Sequence, residues 1–401
     1  MNRPITPGAG PAAPPLLPIL ALLWLAGAAI RIPLLAVPPV IPLMHDDLHM
    51  SETQVGLLIG LPLVMFAIAA IPGSLLIARF GVLFVAISGL TITALAAAAR
   101  STAADVWMLY GFTVLTGFGI AITQPSLPTL VRAWTPARMW LSSTVYTNGM
   151  VVGAALPSAL SIPLILPMLG GSWRLDILFW AAPGLVAALL YAFAAPRPRA
   201  DKPAAAATPR RWWPDWRDPV IWLLGIALGT NNAMFFSTNA FLPDYLRSGG
   251  NGELIGAALG WLNFSQVIAS FILLGLAERM QRKAWPFYVF GPITVLGLVG
   301  IVLGDGIWIV ISAAVLGFAS ALSFLVTFGL PAILSPPEGV HRMASGMLTI
   351  SYTIAVVTPV IAGALWDLTG IPWTTFVPLG ICGACLTVFG TMLIVRSARQ
   401  P

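Results

Sequence analysis

The chain has 401 residues, of which 58% are hydrophobic and 8% are charged, with a formal net charge of +6. Soluble domains average about 45–50% apolar and about 25% charged residues, so the charges here are too few to cover a water-soluble surface. This composition excludes a soluble enzyme of this size. It also excludes a disordered chain, which needs low hydrophobicity and high charge. The sequence therefore predicts a protein that crosses the lipid bilayer many times.

Apolar runs follow one another along almost the whole chain, and each is long enough to cross a bilayer. Crossing takes about 20 mainly apolar residues in a helix, whereas the strands of a membrane barrel are about ten residues long and alternate in polarity. An all-α membrane protein is therefore predicted. Its twelve expected spans are residues 16–43, 54–78, 82–99, 106–131, 140–166, 175–195, 219–245, 254–277, 284–304, 307–334, 343–366 and 371–395.

The longest polar segment, residues 197–218, divides the predicted spans into six and six. It carries six cations and three Trp residues around an Ala/Pro-rich stretch, which is typical of a linker anchored at the membrane surface. We therefore expect one six-helix bundle at 16–196 and a second at 219–395. The Pro/Gly-rich residues 1–15 are expected to form a disordered tail, and residues 396–401 a short terminal tail.

The distribution of Lys and Arg predicts the orientation of the chain. With the N-terminus inside, 16 of the 20 cations fall in inner segments. Only Arg100, Arg174 and Arg247 fall in outer loops, and Arg31 lies within the first span. Cytoplasmic loops carry an excess of Lys and Arg, so both termini are predicted to be cytoplasmic. The net charge of +6 is thereby explained without a nucleic-acid partner.

Shifting the chain by 200 residues aligns several landmarks of the two predicted bundles. Residues 76–79, Leu-Ile-Ala-Arg, overlay residues 276–279, Leu-Ala-Glu-Arg. The sequence Gly-Phe-Gly-Ile-Ala at 117–121 overlays Gly-Phe-Ala-Ser-Ala at 317–321. This offset predicts two six-helix repeats in parallel orientation, an arrangement that places a binding site between the halves near the middle of the membrane.

Two sets of motifs carry a resemblance to a known family. The loop Leu-Ala-Glu-Arg-Met-Gln-Arg-Lys at 276–283 is similar to the L-A-D-R-x-G-R-K signature of the major facilitator superfamily. Within that superfamily, Arg-Ile-Pro at 31–33 and Leu-Pro-Thr-Leu-Val-Arg at 127–132 resemble motifs of the cyanate/2-nitroimidazole porter family. The resemblance implies a secondary transporter. It also implies a cytoplasmic gate formed by charged loop residues, namely Arg79, Glu278, Arg279, Arg282 and Lys283.

Arg31 is the one ionisable residue that the sequence places clearly inside a predicted span. All fourteen acidic residues, Asp176 among them, fall in predicted loops or at span ends. An Arg within the membrane costs at least about 2.5–3.5 kcal/mol unless it faces a partner or a wet cavity. Its guanidinium could be satisfied by carbonyls of its own helix, or it could bind an anionic or electron-rich solute. The resemblance favours the second interpretation.

Other polar side chains in the predicted spans could complete a binding site around Arg31. In the seventh span, Asn232, Phe235 or Phe236, and Asn239 recur at helical spacing. Asn residues in such a span also join neighbouring helices. Helices one, four, seven and ten line the cavity in members of the superfamily. The predicted substrate-binding residues are Arg31, Gln124, Tyr146, Asn148, Asn231, Asn232, Phe235, Asn239, Ser323 and Tyr352.

No pattern typical of an enzyme, a metal site or a bound cofactor occurs in the sequence. We therefore expect a monomeric transporter in a bacterial-type inner membrane that alternates access for a small anionic or planar polar solute. The resemblance suggests a cyanate-like anion or a nitroimidazole-like organic molecule. A multidrug-type exporter of the same fold and a transporter-like sensor that moves no solute stay open as alternatives.

Overall fold

The structure, a computed structural model, describes residues 16–50, 52–197, 212–280, 283 and 285–397. Apart from residues 197 and 212–218, the predicted linker lies outside these ranges, as do the whole tail at 1–15 and residues 398–401. Within the described ranges, the helices of 18 residues or more are α1 (Leu16–Leu35), α2 (Glu52–Phe80), α3 (Val82–Ala99), α4 (Val106–Thr123), α5 (Met139–Leu160), α6 (Trp173–Ala194), α7 (Pro219–Ser248), α8 (Ile255–Met280), α9 (Trp285–Leu303), α10 (Ile307–Leu334), α11 (Val340–Thr369) and α12 (Val377–Ser397). We call α1–α6 the first half and α7–α12 the second half.

Eleven described segments are long and apolar enough to cross a membrane. They cover every long helix except α5, which is rich in Ser, Thr and Asn between Ser142 and Asn148. An all-helical membrane protein is thus confirmed. Polar residues lower the mean hydropathy of α5, although its 22 residues have the length that a bilayer requires.

Proline residues explain why several helices end or break inside the predicted spans. The predicted first span, 16–43, is too long, because α1 ends at Leu35 and a separate short helix covers Ile41–Leu48. Pro38 and Pro39 cannot donate the backbone hydrogen bonds that would continue α1. The predicted fourth span is broken in the same way at Gln124–Pro125, after which a short helix covers Ser126–Trp134.

The helices of the two halves pack in matching pairs. Helix α1 packs on α5, α2 on α4 and α3 on α6, and the second half repeats these pairs as α7 on α11, α8 on α10 and α9 on α12. At the α1–α5 crossing, a Cβ added to Gly149 would lie 2.1 Å from the Trp24 carbonyl oxygen. Glycine therefore permits the close backbone approach that membrane helices use to associate.

The halves meet along α2 with α11 and along α5 with α8 and α10. Residues 212–218 lie against one end of the bundle, which we call the linker end. There Ser74 donates a hydrogen bond to the Trp212 carbonyl at 2.6 Å, and Arg342 donates one to the Trp213 carbonyl at 2.8 Å. These contacts give the bundle a reference direction for the site described next.

Candidate functional site

Arg31 lies in α1, four residues before the helix ends, and its side chain is 8% exposed. At 1.5 Å per residue it stands about 22 Å from the start of the helix, in the half of α1 remote from the linker end. The described residues offer its guanidinium neither a hydrogen bond nor an ion pair. Its Cζ atom lies 6.0 Å from the centre of the Phe324 ring in α10. Arg31 therefore faces the second half as a cation, and the described residues provide it with no acidic partner.

Three further predicted site residues are buried with a polar atom unsatisfied. These atoms are Nε2 of Gln124, Oγ of Ser323 and the hydroxyl of Tyr352, and none has a hydrogen-bond partner among the described residues. The Tyr352 ring lies 4.9 Å from the Phe66 ring in α2, which places it where the halves meet. Buried polar groups are normally hydrogen-bonded, so each of these groups can bind a ligand or an ordered water molecule.

The predicted residues Asn231 and Asn232 of α7 bond to neighbouring helices of the second half. The side-chain oxygen of Asn231 accepts a hydrogen bond from the Ser320 hydroxyl at 3.1 Å. The amide of Asn232 donates one to the Ser351 hydroxyl at 3.0 Å. In this conformation both Asn residues therefore join helices, the alternative that the sequence left open.

Asn239 and Phe235 lie further along α7. The Asn239 amide donates a hydrogen bond to the Phe235 carbonyl at 2.9 Å, and its oxygen accepts one from Asn263 of α8 at 2.9 Å. The Phe235 ring packs against Phe236, with ring centres 5.5 Å apart. In this conformation Asn263 therefore joins α8 to α7.

Tyr146 and Asn148 of α5 connect the two halves. The Tyr146 hydroxyl donates a hydrogen bond to the Phe328 carbonyl of α10 at 3.1 Å. The Asn148 amide donates one to Ser270 of α8 at 2.8 Å, while its oxygen accepts one from Trp24 at 2.8 Å. Both predicted residues therefore hold the halves together in this conformation.

Two residues that the sequence did not single out add to this contact. Ser143 of α5 donates a hydrogen bond to the Gly329 carbonyl at 3.5 Å, and Arg132 donates one to the Ala332 carbonyl at 3.2 Å. Ser143 and Tyr146 stand in the first third of α5, and Arg132 stands just before α5 begins. The bundle is therefore closed at the linker end. Arg132 and its partner are 200 positions apart, which is the offset of the repeated landmarks.

The residues predicted to form a charged gate lie mostly apart from these hydrogen bonds. Arg79 is exposed, with its guanidinium 5.4 Å from the Phe80 ring centre, and it lines a surface cavity of about 390 Å³ with Trp212. Lys283 is also exposed. The side chains of Glu278 and Arg279, and the whole of Arg282, lie outside the described part of the chain.

Arg100 corrects a prediction, because the sequence placed it in an outer loop. Its side chain is only 2% exposed, and it donates a hydrogen bond to the Pro33 carbonyl at 2.6 Å. Pro33 belongs to the last turn of α1, whose carbonyls lack partners within the helix. Arg100 therefore caps the end of α1 from another helix. The described part of the first half therefore buries Arg100 as well as Arg31.

Asp176 lies at the end of a span, as the sequence predicted, but it is buried rather than exposed. It lies in the first turn of α6 with its side chain fully buried, and it accepts a hydrogen bond from Ser161 at 3.2 Å. Ser161 in turn accepts one from the Trp180 indole at 2.8 Å. The contact is possible because α5 passes into a wider π-helical turn at Ser161–Ile165. A helix end that seems exposed in the sequence is covered here by its neighbours.

No group of three His, Cys, Asp or Glu side chains in the described ranges could hold a metal ion. The candidate residues are instead a buried guanidinium, three buried polar groups without hydrogen-bond partners among the described residues, and two aromatic rings. Such a polar, unpaired centre inside a set of membrane-crossing helices is typical of solute transport proteins.

The comparisons with known proteins identify the family. Residues 22–291 match the model of the Major Facilitator Superfamily, and the chain belongs to this family of transporters. It is therefore a multi-pass protein of the bacterial plasma membrane, as the composition and the resemblance predicted.

Three curated relatives and one solved structure extend this result. The chain is 30% identical to the uncharacterized transporter YycB of Bacillus subtilis, over 88% of the chain and 87% of the relative. It is 25% identical to the 2-nitroimidazole transporter of Escherichia coli (93% and 94% covered) and 25% identical to the Escherichia coli cyanate transport protein CynX (88% and 91%). The structure of FucP in the outward conformation superposes with a TM-score of 0.76 at 15% identity, covering 93% of this chain and 98% of FucP. That likeness confirms the superfamily fold.

Proposed function

We propose that this protein is a secondary transporter for a small anionic or planar polar solute, which it moves by alternating access. The observation that carries the proposal is Arg31, which is nine-tenths buried and has no hydrogen bond or ion pair among the described residues. A guanidinium presents five donors in a fixed plane and suits a planar acceptor such as a carboxylate or nitro group. The solute then supplies the negative charge that the described part of the protein does not.

The unsatisfied groups of Gln124, Ser323 and Tyr352 support a binding site that both halves share. The Gln124 amide nitrogen can donate a hydrogen bond to a polar solute, and the Ser323 and Tyr352 hydroxyls can donate or accept one. The Phe66 and Phe324 rings would bound the solute with apolar faces. The names of two relatives, a cyanate transport protein and a 2-nitroimidazole transporter, agree with a small, planar, electron-rich cargo.

The proposed topology has twelve membrane spans, in two six-helix bundles that residues 197–218 connect. Its support is that α5 has a spanning length and that the helix pairs of the two halves correspond. The excess of cations in one set of loops supports cytoplasmic termini and a cytoplasmic linker end. With the linker end closed by Arg132, Ser143 and Tyr146, the proposed state of this structure is outward-facing.

A ligand-induced thermal shift on the purified full-length protein tests the proposal. Sodium cyanate and 2-nitroimidazole are added in turn to the wild type, to Arg31→Ala and to the matched control Arg138→Ala, which removes an exposed cation just before α5. We expect at least one of the two compounds to stabilise the wild type and the control but not Arg31→Ala. Equal stabilisation of all three proteins would show that Arg31 does not bind the compound.

Counterflow in proteoliposomes then separates transport from sensing. Vesicles are loaded with the stabilising compound, and entry of its labelled form is followed after dilution. A transporter accumulates label transiently, whereas a sensor binds the compound without exchange. The expected result is accumulation in the wild type and in Arg138→Ala, with none in Arg31→Ala.

A further inference from the structure

The Phe324 ring is the aromatic partner of Arg31 and belongs to the opposite half. The 6.0 Å separation between Cζ of Arg31 and the ring centre is at the outer limit of a cation–π contact. Because the described residues provide the guanidinium with no hydrogen bond, this ring is well placed to fix its position. The sequence did not point to Phe324, because an aromatic residue in an apolar helix gives no polar signal.

Phe324 stands one helical turn from Phe328, and the two ring centres are 5.1 Å apart. The Phe328 ring in turn lies 6.1 Å from the Tyr146 ring, at an interplanar angle of 64°. The Tyr146 hydroxyl also bonds to the Phe328 carbonyl at 3.1 Å. A continuous set of contacts therefore runs from Arg31 through two rings of α10 to Tyr146 at the linker end.

The part of α10 that receives these contacts is poorly braced by its own backbone. Pro331 has no N–H, so one bond of the helical ladder is missing there, and its ring distorts the preceding turn. Gly329 is in close contact with α5, since an added Cβ would lie 2.8 Å from Cβ of Ser143. The closure is thus a tight contact against a weakened helical turn, which a small movement of α10 would open.

We propose that Phe324 and Phe328 are positioning residues that couple occupancy of the Arg31 site to closure at the linker end. An anion bound to Arg31 neutralises the guanidinium and weakens its attraction to the Phe324 ring. The paired rings then shift, and the Tyr146 hydroxyl loses the Phe328 carbonyl. Tyr146 acts in this scheme as part of the closure. The coupling rests on the proposed function, because it requires an electron-rich solute at Arg31.

The test measures opening of the linker end by the alkylation rate of a single cysteine. The reporter is Ala332→Cys, at a fully buried position, in a chain whose native Cys382 and Cys385 are replaced by Ala. Tyr146→Phe removes the hydroxyl and keeps the ring. Phe324→Leu removes the aromatic face, and Phe324→Trp retains one.

Two matched controls come from the same fold. Tyr245→Phe removes a tyrosine hydroxyl that bonds to the Val302 carbonyl at 3.0 Å within the second half. Phe318→Leu removes a half-buried phenyl ring from α10, beside an apolar surface cavity. Melting temperatures of all variants verify folding before the rates are compared.

We expect Tyr146→Phe and Phe324→Leu to raise the alkylation rate about threefold or more without ligand, which corresponds to one hydrogen bond of ordinary strength. The controls and Phe324→Trp should stay near the reporter's own rate. Sodium cyanate or 2-nitroimidazole should raise the rate of the reporter and of Phe324→Trp but not that of Phe324→Leu.

The coupling is overturned if Tyr146→Phe and Phe324→Leu match the controls, or if Phe324→Leu keeps the full ligand response. The alkylation rates measured without ligand distinguish failure of the coupling from failure of the proposed function. If the two variants open the linker end while neither compound affects any protein, the closure stands and the substrate assignment is lost. If a compound stabilises the protein through Arg31 but the variants behave as controls, only the coupling is wrong.

Discussion

The two halves of the molecule differ in where they bury charge. In the first half, Arg31 and Asp176 are buried, and at an offset of 200 residues the second half carries Asn231 and Phe376. The amide of Asn231 bonds to Ser320, so its polarity is satisfied inside its own half. Arg31 has no such partner among the described residues. The helix pairs correspond between the halves, while the charge available to a ligand belongs to one of them.

The same contrast appears in the residues that stabilise helix ends and the closure. Arg100 and Arg132 donate hydrogen bonds to backbone carbonyls, whereas Gly300 and Ala332 stand at the equivalent offset. At the closure the first half provides side-chain donors and the second half provides carbonyl acceptors. The halves are therefore complementary, and exchanging residues between them should not preserve function.

The largest expected effect follows from moving the cation of the site across this boundary. Arg31→Asn should weaken ligand binding about 10–150-fold, because it removes hydrogen bonds from a charged donor. Adding Asn231→Arg should not restore binding, since the new guanidinium would lie against Ser320. Calorimetric titration of the stabilising compound gives both values. Recovery of wild-type affinity in the double variant would show that the halves are interchangeable after all.

Arg100→Met should have the next largest effect. It leaves the Pro33 carbonyl without its donor, although it also removes the cost of a buried charge. We expect the free energy of unfolding to fall by about 1–2 kcal/mol. Because α1 carries Arg31, ligand affinity should fall as well. Arg138→Met, which removes an exposed cation, is the control for both measurements. An unchanged affinity in Arg100→Met would mean that the end of α1 does not position Arg31.

A smaller effect is expected for the pair Asn231 and Ser320. If the amide only joins α7 to α10, a double-mutant cycle with Asn231→Ala and Ser320→Ala should give a coupling near 0.6 kcal/mol, and at most about 1.7 kcal/mol. Ligand affinity should then stay near the wild-type value. Asn239→Ala combined with Ser320→Ala is the control cycle, because Asn239 bonds to Phe235 and Asn263 and not to Ser320. A large loss of ligand affinity in Asn231→Ala, without coupling to Ser320→Ala, would show that Asn231 belongs to the binding site.

The helices and the isolation of Arg31 could be predicted from the sequence because both depend on local composition. Long apolar runs define the spans, and a single Arg within such a run has a high cost wherever the helix packs. The break at Gln124–Pro125 was not predicted, although it too lies at a proline. Predicted boundaries failed where proline residues ended a helix inside an apolar run, as at Pro38.

The closure and the buried ends could not be predicted, because their residues meet only after folding. Arg100 and Pro33 are 67 positions apart, and Tyr146 and Phe328 are 182 apart. Hydropathy assigns a charged residue at the edge of an apolar run to a loop, whether or not another helix covers it. Asp176 was placed outside for this reason. The aromatic pair on α10 was missed because Phe residues are ordinary in lipid-facing helices.

The smallest expected effect concerns an exposed pair at the end of the first half remote from the linker end. A hydrogen bond from Arg174, followed by one from Trp173, lowers the pKa of Asp47 below its ordinary value of 3.8. Both charged side chains are partly exposed, 37% for Arg174 and 44% for Asp47, so the pair should contribute less than about 1 kcal/mol. At the same offset the second half has Thr374 in place of Arg174, and it bonds locally to the Ile371 carbonyl.

The pH dependence of stability tests this pair. Because the pKa of Asp47 is lowered by folding, the stabilisation is present above pH 3.8 and is lost as the pH falls through the folded-state pKa. Asp47→Asn should therefore melt at a slightly lower temperature than the wild type at pH 7, and the difference should shrink toward pH 3. Added salt should reduce it as well. Glu253→Gln, at an exposed position of the second half, should show neither trend. A difference in melting temperature that is independent of pH would mean that Asp47 acts through packing of the short helix Ile41–Leu48. The difference in charge between the halves would then be limited to their buried residues.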